Sequence, residues 1–175
     1  MTSPVIWLTG IPASGKTTLS LLLQDYYKSK NLPVDILDGD EIRKTLSSDL
    51  GFSPQDRKEH NRRVIILAKL LSKNNITTIV PLISPYQETR KNARKEIPNF
   101  VEIYVKASLE TCTKRDPKGL YQKAKAGEIQ NLTGLQSPYE EPQNPELVLD
   151  TEKHSKEECL DMIISKLREL GYLQN

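Results

Sequence analysis

The stretch GIPASGKTT, residues 10–18, constrains this chain most, because it joins an apolar run, PVIWL (4–8), to a segment with helical spacing, LSLLLQDYYKSK (19–30). Gly10, Gly15, Lys16 and Thr17 satisfy the spacing G-x-x-x-x-G-K-[ST], with the strand before it and the helix after it that such a loop requires. The two glycines permit a turn whose backbone N–H groups, at Ala13, Ser14, Gly15 and Thr18 among others, converge on phosphate oxygens. The positive end of the following helix adds to that attraction. Lys16 would then neutralise β- and γ-phosphate charge, and the Thr17 hydroxyl would ligate Mg²⁺. The loop predicts a site for a nucleoside triphosphate.

Four further apolar runs, VDILD (34–38), ITTIVPL (76–82), FVEIYV (100–105) and ELVLD (146–150), are short and rich in β-branched residues, as strands are. Helical spacing recurs between them at 56–73, 87–97 and 108–115, and again at 155–170. Strand and helix in alternation predict an α/β fold with a five-stranded, mainly parallel sheet and helices on both faces, in one domain over all 175 residues. From Asp116 to Pro145 the chain is polar and rich in glycine and proline. Long irregular segments in compact domains are usually functional, so a lid is expected over about 116–138, with a short helix at LYQKAKAG.

The 25 Lys and Arg nearly balance the 23 Asp and Glu, which gives no basic stripe for nucleic acid. No apolar run approaches a membrane span, and MTSPVIWLTG lacks the regions of a signal peptide, so a cytoplasmic protein is expected. Cys112 and Cys159, far apart in sequence and outside any CxxC pair, read as packed thiols.

A triphosphate loop serves switches and motors, which give the phosphate to water, and small kinases, which give it to a bound acceptor. No N-K-x-D base reader occurs, and ITTIVPLISPY carries no acid to close the third strand. The carboxylates lie instead after the second strand, at Asp38 and Asp40 in LDGDEIRK, where the crevice of a parallel sheet opens. Asp40 is placed to orient an acceptor hydroxyl or take its proton, and to hold Mg²⁺ through water. Asp38 reads equally as a helix cap, a turn residue or a functional group. The forked guanidiniums of Arg43, Arg57, Arg62 and Arg63 suit phosphate and sulfate oxygens, although adjacent Arg62 and Arg63 cannot both face one ligand. Phe52 in LGFS is placed either to stack on a base or to plug the core.

Taken together, DGDEIR (38–43), LGFS with DR (50–57), ISPY (83–86), RDPKGLYQKAKAGEI (115–129) and TGLQSPYEEPQNPELVLDT (133–151) resemble the adenylylsulfate kinase family. That family uses ATP to phosphorylate the 3'-hydroxyl of adenosine 5'-phosphosulfate. The resemblance implies a P-loop kinase fold, Mg²⁺, and a homodimer. By position it puts Asp40 at the acceptor hydroxyl and the metal, Lys16, Thr17 and Arg115 on the ATP side, and Lys118 on the lid reaching the substrates. Arg43 and Arg57 would bind the phosphosulfate, Phe52 would stack on the acceptor adenine, and Ile83 and Ser84 would contact the acceptor. Ser84 also matches a serine considered in that family as a phosphoenzyme candidate, although direct in-line transfer is the reading favoured here. Leu132 stands where a second adenine-facing phenylalanine is common, and His60 where an asparagine is usual. Gln122 and the sequence GIPASGKT also depart from the family pattern. These departures leave open a different nucleotide-activated anion as acceptor, or a nucleotide-binding module without catalysis.

Overall fold

The computed structural model describes residues 3–174. Strands β1 (Val5–Thr9), β2 (Val34–Ile36), β3 (Thr77–Pro81), β4 (Phe100–Lys106) and β5 (Leu147–Asp150) pair in parallel in the order β2-β3-β1-β4-β5. All five residues of β1 are buried, which explains its continuous apolar run: a central parallel strand is covered on both faces. Ile6 and Leu8 pack beneath α1 (Lys16–Ser29) and α7 (Lys156–Glu169), against Leu19, Leu23, Ile163 and Leu167. Val5 and Trp7 point the other way, toward Val64 and Ala68 of α3 (Pro54–Lys73) and Ala93 of α4 (Gln87–Glu96). The predicted three-layer α/β architecture is the one observed.

Two boundaries differ from the sequence reading. Helix α1 begins at Lys16 rather than at the first apolar residue, Leu19, so the phosphate loop runs directly into helical backbone. The stretch after β2, for which no helix was expected, is a short helix, α2 (Gly39–Lys44), and Asp38 is its N-cap, accepting from the Asp40 and Glu41 amides at 2.9 and 3.1 Å. A single turn of helix carries too little periodicity to be read from sequence, but its cap resolves the role of Asp38.

After β4 the chain forms α5 (Leu109–Arg115) and then the segment expected to act as a lid, called the lid below for its position over the cavity, with the expected short helix at α6 (Leu120–Lys125). The lid has a small core of its own, in which Tyr121, Ala124 and Leu132 close over Cys112. Its first turn is fixed locally, since the Asp116 carboxylate accepts from the Tyr121 and Gln122 amides. Both cysteines are free and buried.

Beyond the lid, the chain crosses the sheet's carboxyl edge as a strap toward β5. Tyr139 shares a 2.8 Å hydrogen bond with Thr9, and the Glu140 amide donates to Pro85 at 2.8 Å. Beneath this strap Arg90 of α4 lies 2.8 Å from Glu102 of β4, with both side chains under a tenth exposed. Arg94 joins the same carboxylate and Glu146, extending the network to the start of β5.

Removing one member of a buried ion pair strands its partner, which costs about 3 to 5 kcal/mol where nothing else compensates. Arg94 stays within reach of Glu102. Arg90→Ala should therefore lower the unfolding free energy by about 2 to 3 kcal/mol in urea titrations. A change below about 0.5 kcal/mol would show that the network does not tie the strap to the sheet.

Candidate active site

The phosphate loop is held from below by its own backbone. A side chain at Gly10 would collide with the Val105 carbonyl and the Ser14 hydroxyl, so only glycine lets the loop lie this close to β4. Gly15, at φ 114°, caps α1 in left-handed backbone that other residues adopt at a cost. Ser14 is fully buried and its hydroxyl has no partner, whereas Thr17 and Thr18 at the start of α1 are exposed. Lys16 curls back over the loop, donating to the Gly10 and Ile11 carbonyls at 2.7 and 2.8 Å. Burial pushes its pKa down to about 7.

A single cavity of about 940 Å³ opens above this loop, large for the roughly 300–1,000 Å³ of ligand sites and roomy enough for two nucleotides. Ala13, Gly15, Lys16, Thr17 and Thr18 line one part, with Arg115 beside them. Gly10 and Ser14, also expected at the phosphates, lie beneath the loop and do not line the cavity. Arg115 donates to the Thr151 hydroxyl and carbonyl at 2.9 and 2.8 Å, which fixes the end of β5 beside the loop.

Another part of the wall comes from α2, α3 and the lid, through Arg43, Phe52, Arg57, His60 and Leu132. Arg43 stacks over Phe52 at 4.7 Å and donates to the Gly51 carbonyl. Phe52 is 59% exposed, which rules out a core plug and leaves its ring free to stack. Arg57 holds the ends of the site together, donating to Phe52 from Nε and to Thr133 and Asn131 of the lid from its fork. Burial pulls both arginines below their usual range, and Arg57 lowers Arg43 further. Among the described residues no carboxylate pairs with either, whereas Arg62, Arg63, Arg90 and Arg94 all have ion-pair partners. Cavity arginines without an ion-pair partner leave forked donors suited to phosphate or sulfate oxygens. Arg62 and Arg63 stay outside it, bound to Glu59 and Asp49 on the surface.

Asp40, exposed on α2, faces Lys118 of the lid across the cavity at 2.5 Å. Both act on Lys16, Asp40 raising its pKa and Lys118 lowering it, so the acid and the two lysines share one field. His60 is 1% exposed, with Nδ1 at 3.0 Å from the Ser47 hydroxyl and Nε2 unpartnered.

Two further residues line the cavity from largely buried positions. Ser84, at φ 46°, lines the cavity but is 1% exposed, and its hydroxyl accepts from Trp7 Nε1 and donates to Asn61, both at 2.9 Å. A hydroxyl committed in both directions, beside a neutral amide, lacks the base that an attacking serine needs. The neighbouring Ile83 carbonyl is likewise taken, accepting from Thr9 at 2.7 Å. Leu132, which stands where a second adenine-facing phenylalanine is common, lines the cavity while being only 7% exposed, because most of its side chain packs with Tyr121 and Cys112. Sequence reasoning missed Thr151 and Asn61, whose partners lie 36 and 23 residues away and leave no local signal.

The family model described as adenylylsulphate kinase matches residues 2–150. A probable adenylyl-sulfate kinase of Pyrococcus abyssi is 53% identical over 96% of this chain and 97% of its own length. An adenylyl-sulfate kinase of Synechococcus sp. (strain JA-3-3Ab) is 46% identical over 97% of this chain and 96% of its own. Among solved structures, an APS kinase of Mycobacterium tuberculosis in complex with AMPPNP and APS superposes with a TM-score of 0.91 at 40% identity, covering 95% of this chain and 98% of that one. With a phosphate loop, a facing acid and an uncompensated arginine pair in one cavity, this chain belongs to the adenylylsulfate kinase family.

Proposed function

We infer that this chain transfers the γ-phosphoryl group of ATP to the 3'-hydroxyl of adenosine 5'-phosphosulfate. The observation that carries this reading is the continuity of one cavity from the phosphate loop to Arg43, Arg57 and Phe52, with Asp40 on its wall. Phosphoryl transfer needs little covalent chemistry from a protein; it needs two substrates in line and charge where charge develops. The loop amides and Lys16 hold the donor phosphates, the arginine pair holds the phosphosulfate, and Phe52 offers its exposed face to the acceptor's base.

Asp40 is the group that orients the hydroxyl and takes its proton. Its present partner, Lys118, exchanges the carboxylate for phosphate oxygens when the donor enters, which frees Asp40 for the hydroxyl. The site suits Mg²⁺, because Thr17 and Asp40 offer hard oxygen donors and, among the described residues, no cluster of His, Cys, Asp or Glu forms a closed cage. Thr17 and Asp40 would hold the ion, which would supply positive charge against the phosphate charge that develops on transfer. No helix among the described residues is long and apolar enough to cross a membrane, and we assign the protein to the cytoplasm, where ATP is available. We also assign it as a homodimer; the exposed Ile66 and Leu70, one turn apart on α3, supply an apolar patch for such a contact.

Asp40→Ala should reduce adenylylsulfate-dependent ADP release by about 10²-fold or more, the usual worth of a positioned acid or base. Unchanged turnover would remove Asp40 from the mechanism, and native protein that releases no more ADP with adenylylsulfate than without it would sink the reading. Lys16 gives a second check. Its pKa is about 7 in the free protein, and bound polyphosphate raises it. Affinity for the nucleotide is then full below about pH 7 and falls as the pH rises above it. Calorimetry at about pH 8.5 in buffers of different ionisation enthalpy should show uptake of about one proton per nucleotide bound; zero uptake would mean that Lys16 is already charged.

A further inference from the structure

The phosphate loop contains one peptide held in an orientation that its own residues do not favour. The Ser14 N–H donates to the Ile11 carbonyl at 3.3 Å, which closes a β-turn with Pro12 and Ala13 at its centre. Proline fixes its own φ at about −65°, and Ala13 stands at φ 63°. A negative φ followed by a positive one makes a type II turn, whose second central position favours glycine because a side chain is crowded in left-handed backbone. The alternative, type I, suits alanine better and differs chiefly by a half-turn of the peptide between Pro12 and Ala13.

What holds that peptide comes from the lid. The Tyr121 hydroxyl donates to the Pro12 carbonyl at 2.9 Å. Tyr121 is fully buried among Cys112, Ala124 and Leu132 and does not line the cavity, whereas Pro12 and Ala13 do. The Pro12 carbonyl therefore points away from the cavity and into the lid's core. In a trans peptide the N–H points opposite to the C=O, and none of the described peptides is cis, so the Ala13 N–H is turned toward the cavity. That N–H has no partner among the described residues. Burial pushes the Tyr121 phenol above its usual range, so its hydroxyl stays a donor across the neutral range.

We propose that Tyr121 is a positioning residue that holds the Pro12–Ala13 peptide in the type II orientation, so that the Ala13 N–H is aimed at the phosphates of ATP before the nucleotide arrives. This rests on ATP being the donor. A type I loop would present the Pro12 carbonyl to the cavity instead, an acceptor facing an anion. ATP binds only the first form well, so its apparent affinity falls with the fraction of chains that adopt it. A residue of the segment over the cavity thereby sets the donor site without touching the donor.

The test reads binding of a non-transferring ATP analogue to the full chain by calorimetry, with no acceptor present, so that its outcome does not depend on which acceptor the enzyme uses. Tyr121→Phe keeps the buried ring and removes the hydroxyl; it should weaken binding by about 3- to 10-fold, the worth of one hydrogen bond. In an Ala13→Gly background, where left-handed backbone carries no steric cost, the same change should weaken binding by less than about twofold. The native chain in solution should show an intense nuclear Overhauser effect from Pro12 Hα to the Ala13 N–H, the mark of a type II turn. Tyr121→Phe should weaken that effect, and the analogue should restore it. Unchanged affinity in Tyr121→Phe, an equal loss in the glycine background, or a native loop without the effect would each overturn the inference alone, and the last of these needs no variant to fold. Native protein that binds no ATP analogue would overturn the donor reading and this inference with it.

Discussion

The backbone of the phosphate loop is the fixed point on which the rest of the site is assembled. Its carbonyls face inward and need donors, and the fold supplies them from distant parts of the chain. Lys16 takes those of Gly10 and Ile11, the buried Tyr121 hydroxyl of the lid takes that of Pro12, and Thr151 at the end of β5 takes that of Ser14 at 3.0 Å. Apolar contact follows the same geometry, since Gly134 of the lid leaves just enough room for Ile11. A loop built to turn its N–H groups toward phosphate necessarily turns carbonyls the other way, and satisfying them brings lid and sheet edge into register.

That arrangement has a consequence for how the site accommodates two anions. Arg57 has five N–H donors and spends three, on Phe52, Thr133 and Asn131. It therefore keeps capacity for a ligand while already holding the lid to α3. Lys118 and Asp40 pair across the opening, with more than half of each side chain exposed, so their attraction is weakened by water and easily exchanged. The segment over the cavity is thus held by hydrogen bonds from a buried arginine and by one exposed ion pair.

How much of this the sequence discloses depends on the range of the interaction. The phosphate loop, the strands and the short helix α6 are carried by spacings within a few residues and were legible, and Asp40, Arg43 and Arg57, singled out from sequence, all line the cavity. The placement of β1 at the centre of the sheet was not legible, because register between strands is settled by packing on both faces. Nor was the Arg90–Glu102 pair, since a charged residue in a strand reads as exposed until the helix covering it is known. Leu132 has two environments that sequence could not separate: it lines the cavity and also packs against Tyr121 and Cys112.

Ser84 shows how a single buried polar chain discriminates between mechanisms. Trp7 lies at the centre of the sheet, and burying its indole requires a partner for Nε1. Ser84 is that partner, and its own proton goes to Asn61, whose amide in turn donates to the Arg57 carbonyl at 2.8 Å. The chain begins in the core and ends on the backbone of the residue that closes the lid. Freeing Ser84 for attack would leave the indole N–H or the Asn61 carbonyl unpaired in the interior, a cost of about 1 to 3 kcal/mol before any chemistry. Asp40 carries no such burden, because its carboxylate is exposed to the cavity and its partner is exchangeable. The same hydrogen-bond economy that pins the serine leaves the acid free, and it favours transfer directly from donor to acceptor.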